Sequence, residues 1–366
     1  MTPAGDGSSR RIASLDAAAI DLSLTEPFGI AQGAQAVAKN VVVTITLESG
    51  VTGLGEGAPF TAVSGETQAS TLAAVRAVAP LVIGRDVADV QRTASLLDAR
   101  IPGEPAARAA IEQAMFDALT RTASLPLSAW FGGANAVLET DLTITTGNLE
   151  HAKRSAEGVV ARGIDRIKLK IGAGSYREDL DRLEAIRRAA PDATLLVDAN
   201  GGFSVDDAIA FARGAASRGI ELALFEQPVE PQLEALAEVT RRAGVLVCAD
   251  ESARSARDVL AIVRAEAAGA INLKITKTGV VEALAMWHIA RTAGLALMIG
   301  GMVEAELAMT FSAHFASGLG GFSFVDLDTP LFIRDSPFEG GFTLRGGRIV
   351  LDTARAGVGV TLRPRG

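Results

Sequence analysis

Ile167-Lys168-Leu169-Lys170 closes one apolar run of this chain, and Val197-Asp198-Ala199-Asn200 closes the next. Between them, residues 177–189 carry the spacing of an amphipathic helix. The unit then repeats. Phe225-Glu226-Gln227-Pro228, Ala249-Asp250-Glu251-Ser252 and Leu273-Lys274 close three further runs, separated by helical patterns over 205–218, 234–242 and 256–265. Working outward, strand-like runs lie at 140–145, 166–171, 194–197, 223–225, 245–249, 270–273, 295–299 and 322–325, with another helix over 280–292. Strands alternating with helices predict βαβ units and a parallel sheet. Eight strands at this spacing predict an α/β fold of the (β/α)7β TIM-like barrel type. A doubly wound sheet is the rival, but no Gly-rich dinucleotide fingerprint occupies the first strand–helix turn.

Ahead of the barrel, strand patterns at 13–24 and 40–47 alternate with the Gly-rich stretches 25–33 and 50–65, read as loops. Helices follow over 66–79, 86–97 and 105–122. This predicts an α+β capping domain over residues 1–130, a catalytic barrel over 131–331, and a C-terminal segment, 332–366, returning to the capping domain. Residues 1–9 are small and polar and read as disordered, without the basic and apolar regions of a secretory signal.

The 366 residues exceed the usual size of one domain, and 48% hydrophobic content supports a sizeable core. A net charge of −8 with no basic stripe argues against nucleic acid as a partner. No apolar stretch approaches the ~20 residues that span a bilayer, which argues against a membrane. The single cysteine, Cys248, lies in an apolar run and reads as a buried thiol in a reduced compartment. Together these predict a cytoplasmic protein.

The chemistry lies in the residues that end the runs. The intervals are 198 − 170 = 28, 226 − 198 = 28, 250 − 226 = 24 and 274 − 250 = 24, each about one strand–helix unit. In a barrel this places Lys170, Asp198, Glu226, Asp250 and Lys274 around the C-terminal rim, where barrel enzymes build their sites. One Asp after a strand is ordinarily a loop or cap residue; five charged residues at consecutive strand ends are not explained that way. Three clustered carboxylates raise one another's pKa and call for a cation, and hard oxygen ligands suit Mg²⁺. Lys168 and Lys170 alternate with Leu169 and so share a face. Lys277 reads as structural and Glu251 as a neighbour of the ligands. His151, His288 and His314 all fall in helical patterns away from strand ends, which argues against a histidine mechanism.

These motifs resemble the muconate lactonizing subgroup of the enolase superfamily, over about residues 12–360. The resemblance rests on residues 168–170, 198–200, 225–228, 249–252 and Leu273-Lys274-Ile275-Thr276-Lys277-Thr278-Gly279. It implies that Asp198, Glu226 and Asp250 bind Mg²⁺, with Asn200 and Glu251 supporting them. It also implies that Lys170 and Lys274 are an acid/base pair on opposite faces of the substrate, with Lys168 tuning Lys170. In such sites a lysine removes a proton next to a carboxylate and the metal stabilises the enediolate.

The subgroup includes cycloisomerases, o-succinylbenzoate synthases, N-acylamino-acid racemases and dipeptide epimerases. Val325-Asp326-Leu327-Asp328-Thr329-Pro330 looks like the Asp-x-Asp motif of dipeptide epimerases, as do residues 55–59 and 64–67. Alternation puts Asp326 and Asp328 on one face, where two carboxylates can grip a substrate ammonium. The alternative is an Asp pair capping the loop before Pro330. Relatives acting on Ala-Glu look to carry an arginine after the Pro-Phe of the first loop, whereas here Pro27-Phe28-Gly29-Ile30-Ala31-Gln32-Gly33 has no cation. The implied reaction is epimerisation of an L-Ala-L-Xaa dipeptide whose second residue is non-acidic, sensed by Phe28, Ile30, Gln32, Ile299 and Met302. By analogy with similar barrels, a homo-oligomer is expected.

Overall fold

The computed structural model describes residues 10–31 and 33–363. The reading of residues 1–9 as disordered and the assignment of Gln32 to the specificity surface therefore lie outside the described residues.

The chain opens with three antiparallel strands, β1 (Ile12–Ile30), β2 (Gly33–Leu47) and β3 (Thr52–Gly57). Helices α1 (Thr61–Ser64), α2 (Gln68–Val82), α3 (Val90–Arg100), α4 (Pro105–Thr122) and the short α5 (Leu127–Trp130) follow. The two Gly-rich stretches are therefore not loops throughout. β1 runs on to Ile30, with the residues between Ser23 and Phe28 bulged out of register with β2. The second stretch contains β3, whose glycines have a packing reason. Gly53, Gly55 and Gly57 share one face, and a Cβ on any of them would run into the carbonyl oxygens of Ala114, Ala110 and Ala106 respectively. Glycine every second residue thus meets alanine every fourth residue of α4, letting helix and sheet backbones touch.

Strand β4 (Leu138–Glu139) precedes the barrel, which comprises β5 (Leu142–Ile144), β6 (Arg166–Lys170), β7 (Thr194–Asp198), β8 (Leu224–Glu226), β9 (Val247–Ala249), β10 (Ala270–Lys274), β11 (Ala296–Gly300) and β12 (Phe322–Asp326). They neighbour one another in chain order, and the pairings between them are parallel. The Asp141 N–H donates to the Val325 carbonyl at 2.9 Å, bringing the first and last strands together. The crossovers carry α6 (Leu149–Ala161), α7 (Tyr176–Ala189), α8 (Val205–Ser217), α9 (Leu233–Arg242), α10 (Ala256–Ala265), α11 (Ile275–Thr278), α12 (Val280–Thr292) and α13 (Glu306–Leu319). Asn148, Ser175, Ser204 and Ser255 cap α6, α7, α8 and α10 with their side chains.

Alternation divides each strand. Leu196, Leu224, Cys248, Ala270 and Met298 form a small cluster inside the barrel, while Leu169, Val197, Phe225, Ala249, Leu273 and Ile299 pack outward against the helices. After residue 331 the strands β13 (Phe338–Gly340), β14 (Thr343–Arg345), β15 (Arg348–Val350) and β16 (Val360–Leu362) lie against the outside of the barrel and the first module. β15 pairs with β4, and Val358 donates its N–H to Asp117 of α4 at 2.8 Å.

Neither α12 nor α13 is capped by its own side chains. Buried carboxylates of the first module do this instead. Glu112 of α4 accepts the N–H groups of Val280 and Val281 at 2.6 and 2.9 Å, and Glu56 of β3 accepts those of Ala305 and Ala308 at 2.9 and 3.2 Å. Asn40 adds a bond to the Val303 carbonyl at 2.9 Å. These contacts tie β2, β3 and α4 of the first module to the N-terminal ends of α12 and α13. Among the described residues no helix is long and apolar enough to cross a membrane.

Candidate active site

The rim residues are placed by strand register. Lys170, Asp198 and Glu226 stand directly opposite one another across β6, β7 and β8, and Lys274, Gly300 and Asp326 do so across β10, β11 and β12. Asp250 follows the last residue of β9. All of these side chains are buried.

Lysine ammonium groups interleave with the acids. Lys168 Nζ lies 2.7 Å from Glu226 Oε2, 2.7 Å from Asp326 Oδ2 and 3.3 Å from Asp198 Oδ2. Lys170 Nζ is 2.6 Å from Asp198, and Lys274 Nζ is 2.7 Å from Asp250. Lys277 also pairs with Asp250 and donates to the carbonyls of Asp250 and Asn272 at 2.8 and 3.0 Å. Asn200 donates from its side chain to Glu251 at 3.1 Å and from its backbone to Asp198 at 2.8 Å.

The electrostatics follow from this packing. Burial pushes Glu226 up to about 7, helped by the charges of Asp198 and Asp250, against the pull of Lys168. Burial likewise raises Glu251 to about 7. For Asp250 the opposing burial cost is overcome by Lys274 and Lys277, which hold it well below the usual carboxylate range. Lys168 and Lys274 are held above their ordinary value by surrounding carboxylates that outweigh burial. Asp198, Glu226 and Asp250 thus form one electrostatically coupled acidic group, and Glu226 Oε2, though ion-paired, has no hydrogen bond. Three buried carboxylates offering hard oxygen donors, two of them held ionised by neighbouring lysines, fit a hard divalent cation.

Among the described residues, the three carboxylates whose oxygens all lie within 4.8 Å of one another are a different set, Asp141, Asp326 and Asp328. Asp328 Oδ2 accepts the Thr143 N–H at 2.6 Å, and Asp326 faces Lys168. Burial raises Asp328 to about 7, with Asp326 adding to the shift.

One cavity gathers part of the predicted set, while Lys168, Asp198 and Glu226 do not line it. It is lined by Lys170, Lys274, Asp250, Glu251, Asn200, Asp326 and Asp328, with Phe28, Ile30 and Met302 on its walls. Phe60, Val63 and Val303 complete the apolar side. Phe28 is braced edge-on by Phe332 at 5.4 Å. Ile299 does not line the cavity. It falls on the outward face of β11, one residue out of phase with the inward Met298, and packs in the barrel–helix core.

Sequence reasoning missed several polar residues. Asn272 donates to Glu226 at 2.8 Å, and its position two before Lys274 on β10 was a usable signal. Gln227 accepts the N–H groups of Asp250 and Ser252 at 3.0 and 3.1 Å, locking the end of β8 to that of β9. Asp141, ahead of β5, carried no pattern signal.

An eight-strand parallel α/β barrel with buried lysines and carboxylates at the C-terminal ends of its strands has the layout of a barrel enzyme. Residues 14–132 match the mandelate racemase / muconate lactonizing enzyme N-terminal domain, and residues 151–366 the enolase C-terminal domain-like family. The chain belongs to the mandelate racemase / muconate lactonizing enzyme family of the enolase superfamily. It is 51% identical to an aromatic dipeptide epimerase of Herpetosiphon aurantiacus, covering 96% of this chain and 99% of that protein. The crystal structure of a mandelate racemase/muconate lactonizing protein from Herpetosiphon aurantiacus superposes with a TM-score of 0.95 at 50% identity, covering 97% of this chain and 99% of that one. The dipeptide epimerase of Enterococcus faecalis V583, complexed with Mg and L-Leu-L-Tyr, superposes at 0.92 with 32% identity, covering 96% and 99%. Like these relatives, the chain is an isomerase of the epimerase kind.

Proposed function

We propose that this protein is a Mg²⁺-dependent dipeptide epimerase that inverts the α-carbon of the C-terminal residue of L-Ala-L-Xaa dipeptides with a non-acidic second residue. One observation carries the reading. Lys170 on β6 and Lys274 on β10 are four strands apart in an eight-strand ring, so they approach one cavity from opposite walls, and that cavity also contains Asp326 and Asp328. Inversion needs this arrangement, one base on each face of the α-carbon.

In this reading Asp198, Glu226 and Asp250 hold Mg²⁺, with Asn200, Glu251 and Asn272 fixing their orientation. Bound there, Mg²⁺ supplies positive charge next to the substrate carboxylate. One lysine takes the α-proton from its face as a neutral amine. The other, as an ammonium, returns a proton from the opposite face, and for the reverse reaction the roles exchange. Lys168 sits 2.7 Å from Glu226 and from Asp326, a fixed positive charge among the acids of the site. Proton transfer by a positioned group of this kind is worth roughly 10²–10⁴-fold in rate.

Asp326 and Asp328 bind the free ammonium of the N-terminal residue. This favours a dipeptide over N-acylated amino acids or lactones, which present no cation there. Phe28, Ile30, Phe60, Val63, Met302 and Val303 form the apolar wall for the second side chain. A carboxylate placed against that wall finds none of the cavity's cations on that side. The name of the Herpetosiphon relative points the same way. The reading is completed by a homo-oligomeric, cytoplasmic enzyme.

The test is incubation with Mg²⁺ and pooled L-Ala-L-Xaa dipeptides in D₂O, watching mass and α-carbon configuration. Deuterium uptake that EDTA abolishes, strongest for apolar or aromatic second residues, is the expected result. Uptake only by N-acylamino acids would overturn the dipeptide assignment, and a kcat/KM for Ala-Glu tenfold above every neutral dipeptide would overturn the specificity.

A further inference from the structure

Asp141 is buried to 1% exposure, and neither of its side-chain oxygens accepts a hydrogen bond. Its two acidic neighbours are better provided for. Asp326 holds the Lys168 ammonium at 2.7 Å, and Asp328 the Thr143 N–H at 2.6 Å. Three carboxylates packed with their oxygens within 4.8 Å cannot all be ionised beside a single lysine. The proton belongs on the member for which ionisation is least compensated, and that is Asp141. Asp141 does not line the cavity; it lies behind Asp326, where the barrel's first and last strands meet through the Asp141 N–H and the Val325 carbonyl.

We infer that Asp141 is a neutral carboxylic acid that donates a hydrogen bond to Asp326 and so positions the carboxylate gripping the substrate ammonium. The inference rests on the proposed role of Asp326 for its kinetic consequence, but not for the protonation itself. Asp326 then has Lys168 on one side and the Asp141 hydroxyl behind it, which fixes its rotamer and aims its remaining lone pairs into the cavity. The charge count also balances: Asp326 and Asp328, both ionised with substrate bound, face Lys168 and the incoming ammonium. An ionised Asp141 would add a third negative charge with no cation to meet it. Burial and the Asp326 carboxylate both push the Asp141 carboxyl well above the ordinary range.

Two variants and two readouts test this. D141N keeps a neutral side chain of the same size with a donor for Asp326, whereas D141A removes the donor. Infrared difference spectra of wild type minus D141N at neutral pH should show the carbonyl stretch of one protonated carboxyl. Identical spectra in that region would overturn the inference, whatever the enzyme's substrate. In kinetics, D141N should keep KM for the preferred L-Ala dipeptide within about threefold. D141A, if folded, should raise it tenfold or more with kcat changed less than threefold. A D141N variant as impaired in KM as D141A would count against the donor role. If wild type acts on no free-amine dipeptide, the proposed function fails while the infrared test still decides the protonation.

Discussion

Glu56 Oε1 accepts the backbone N–H of Ala305 at 2.9 Å, across 249 residues of sequence. With Ala308 donating to the other oxygen and Asn40 Nδ2 donating at 2.8 Å, one buried carboxylate serves as the N-terminal cap of a barrel helix that has none of its own. The first module is therefore bonded into the barrel's helix ends. That attachment depends on polar contacts as well as apolar ones.

Glu56→Ala removes that cap and leaves two helix N–H groups buried without partners. Loss of a cap costs about 1 kcal/mol and orphaned buried donors about 1–3 kcal/mol. Urea unfolding should show a loss of about 2–4 kcal/mol, with Glu56→Gln falling between wild type and alanine. A change within 0.5 kcal/mol for alanine would show that water replaces the carboxylate without cost.

The seam between β3 and α4 gives a sharper contrast. Gly55→Ala places a methyl group against the Ala110 backbone, which no side-chain motion can relieve, whereas Gly103→Ala meets nothing within 4 Å. Overpacking of this kind costs roughly 1–3 kcal/mol or more. The expected result is a clearly lowered denaturation midpoint, or failure to fold, for Gly55→Ala, and a wild-type midpoint for Gly103→Ala. Equal midpoints would mean that the sheet and helix can slide apart.

Much of this was legible because barrel strands are short apolar runs and their last residues are charged. Lys170, Asp198, Glu226, Asp250 and Lys274 needed only counting, since one strand–helix unit separates each from the next. The misreadings share a physical origin. Gly53, Gly55 and Gly57 read as a loop because glycine is usually a turn residue, yet they are strand residues whose missing side chains admit a helix. Ile299 sits near the end of an apolar strand and so reads as a cavity residue, but its neighbour Met298 holds the inward phase. Glu56, Glu112 and Asp141 act on groups far away in sequence, and no local pattern records such a partner.

Opposed lysines make a prediction that a single shared base would not. Replacing either Lys170 or Lys274 by alanine should abolish epimerisation, by about 10³-fold or more. Each variant should nevertheless retain α-proton exchange with D₂O for one epimer only, and the two variants should retain opposite epimers. Proton NMR of L-Ala-L-Xaa and L-Ala-D-Xaa with each variant reads this directly. Loss of exchange from the same epimer in both would place the lysines on one face.

His314 supplies a pH dependence away from the catalytic groups. It is 1% exposed on α13, and its Nδ1 accepts the Ser128 N–H at 3.2 Å. Burial lowers it to about 4, with a backbone contact at Val358 pulling weakly the other way. Its ordinary value is about 6.5, so between pH 6.5 and 4 the unfolded chain binds the proton that the folded one refuses. The contribution is thus fully present above about pH 6.5 and is lost as pH falls, by about 2 kcal/mol from pH 7 to pH 5. Buried acids act in the opposite direction over the same range. Glu66 and Glu112 are raised by burial to about 7 and Glu304 to about 8, so the folded state takes up their protons first and gains stability on acidification. The total slope therefore mixes both signs, and only a difference isolates the histidine. His314→Asn keeps an acceptor near the Nδ1 position and cannot titrate. Denaturant unfolding of both proteins at pH 7 and pH 5 should show wild type losing about 2 kcal/mol relative to the variant. A difference that does not change with pH would mean that His314 is already neutral, or already charged, to the same degree in both states.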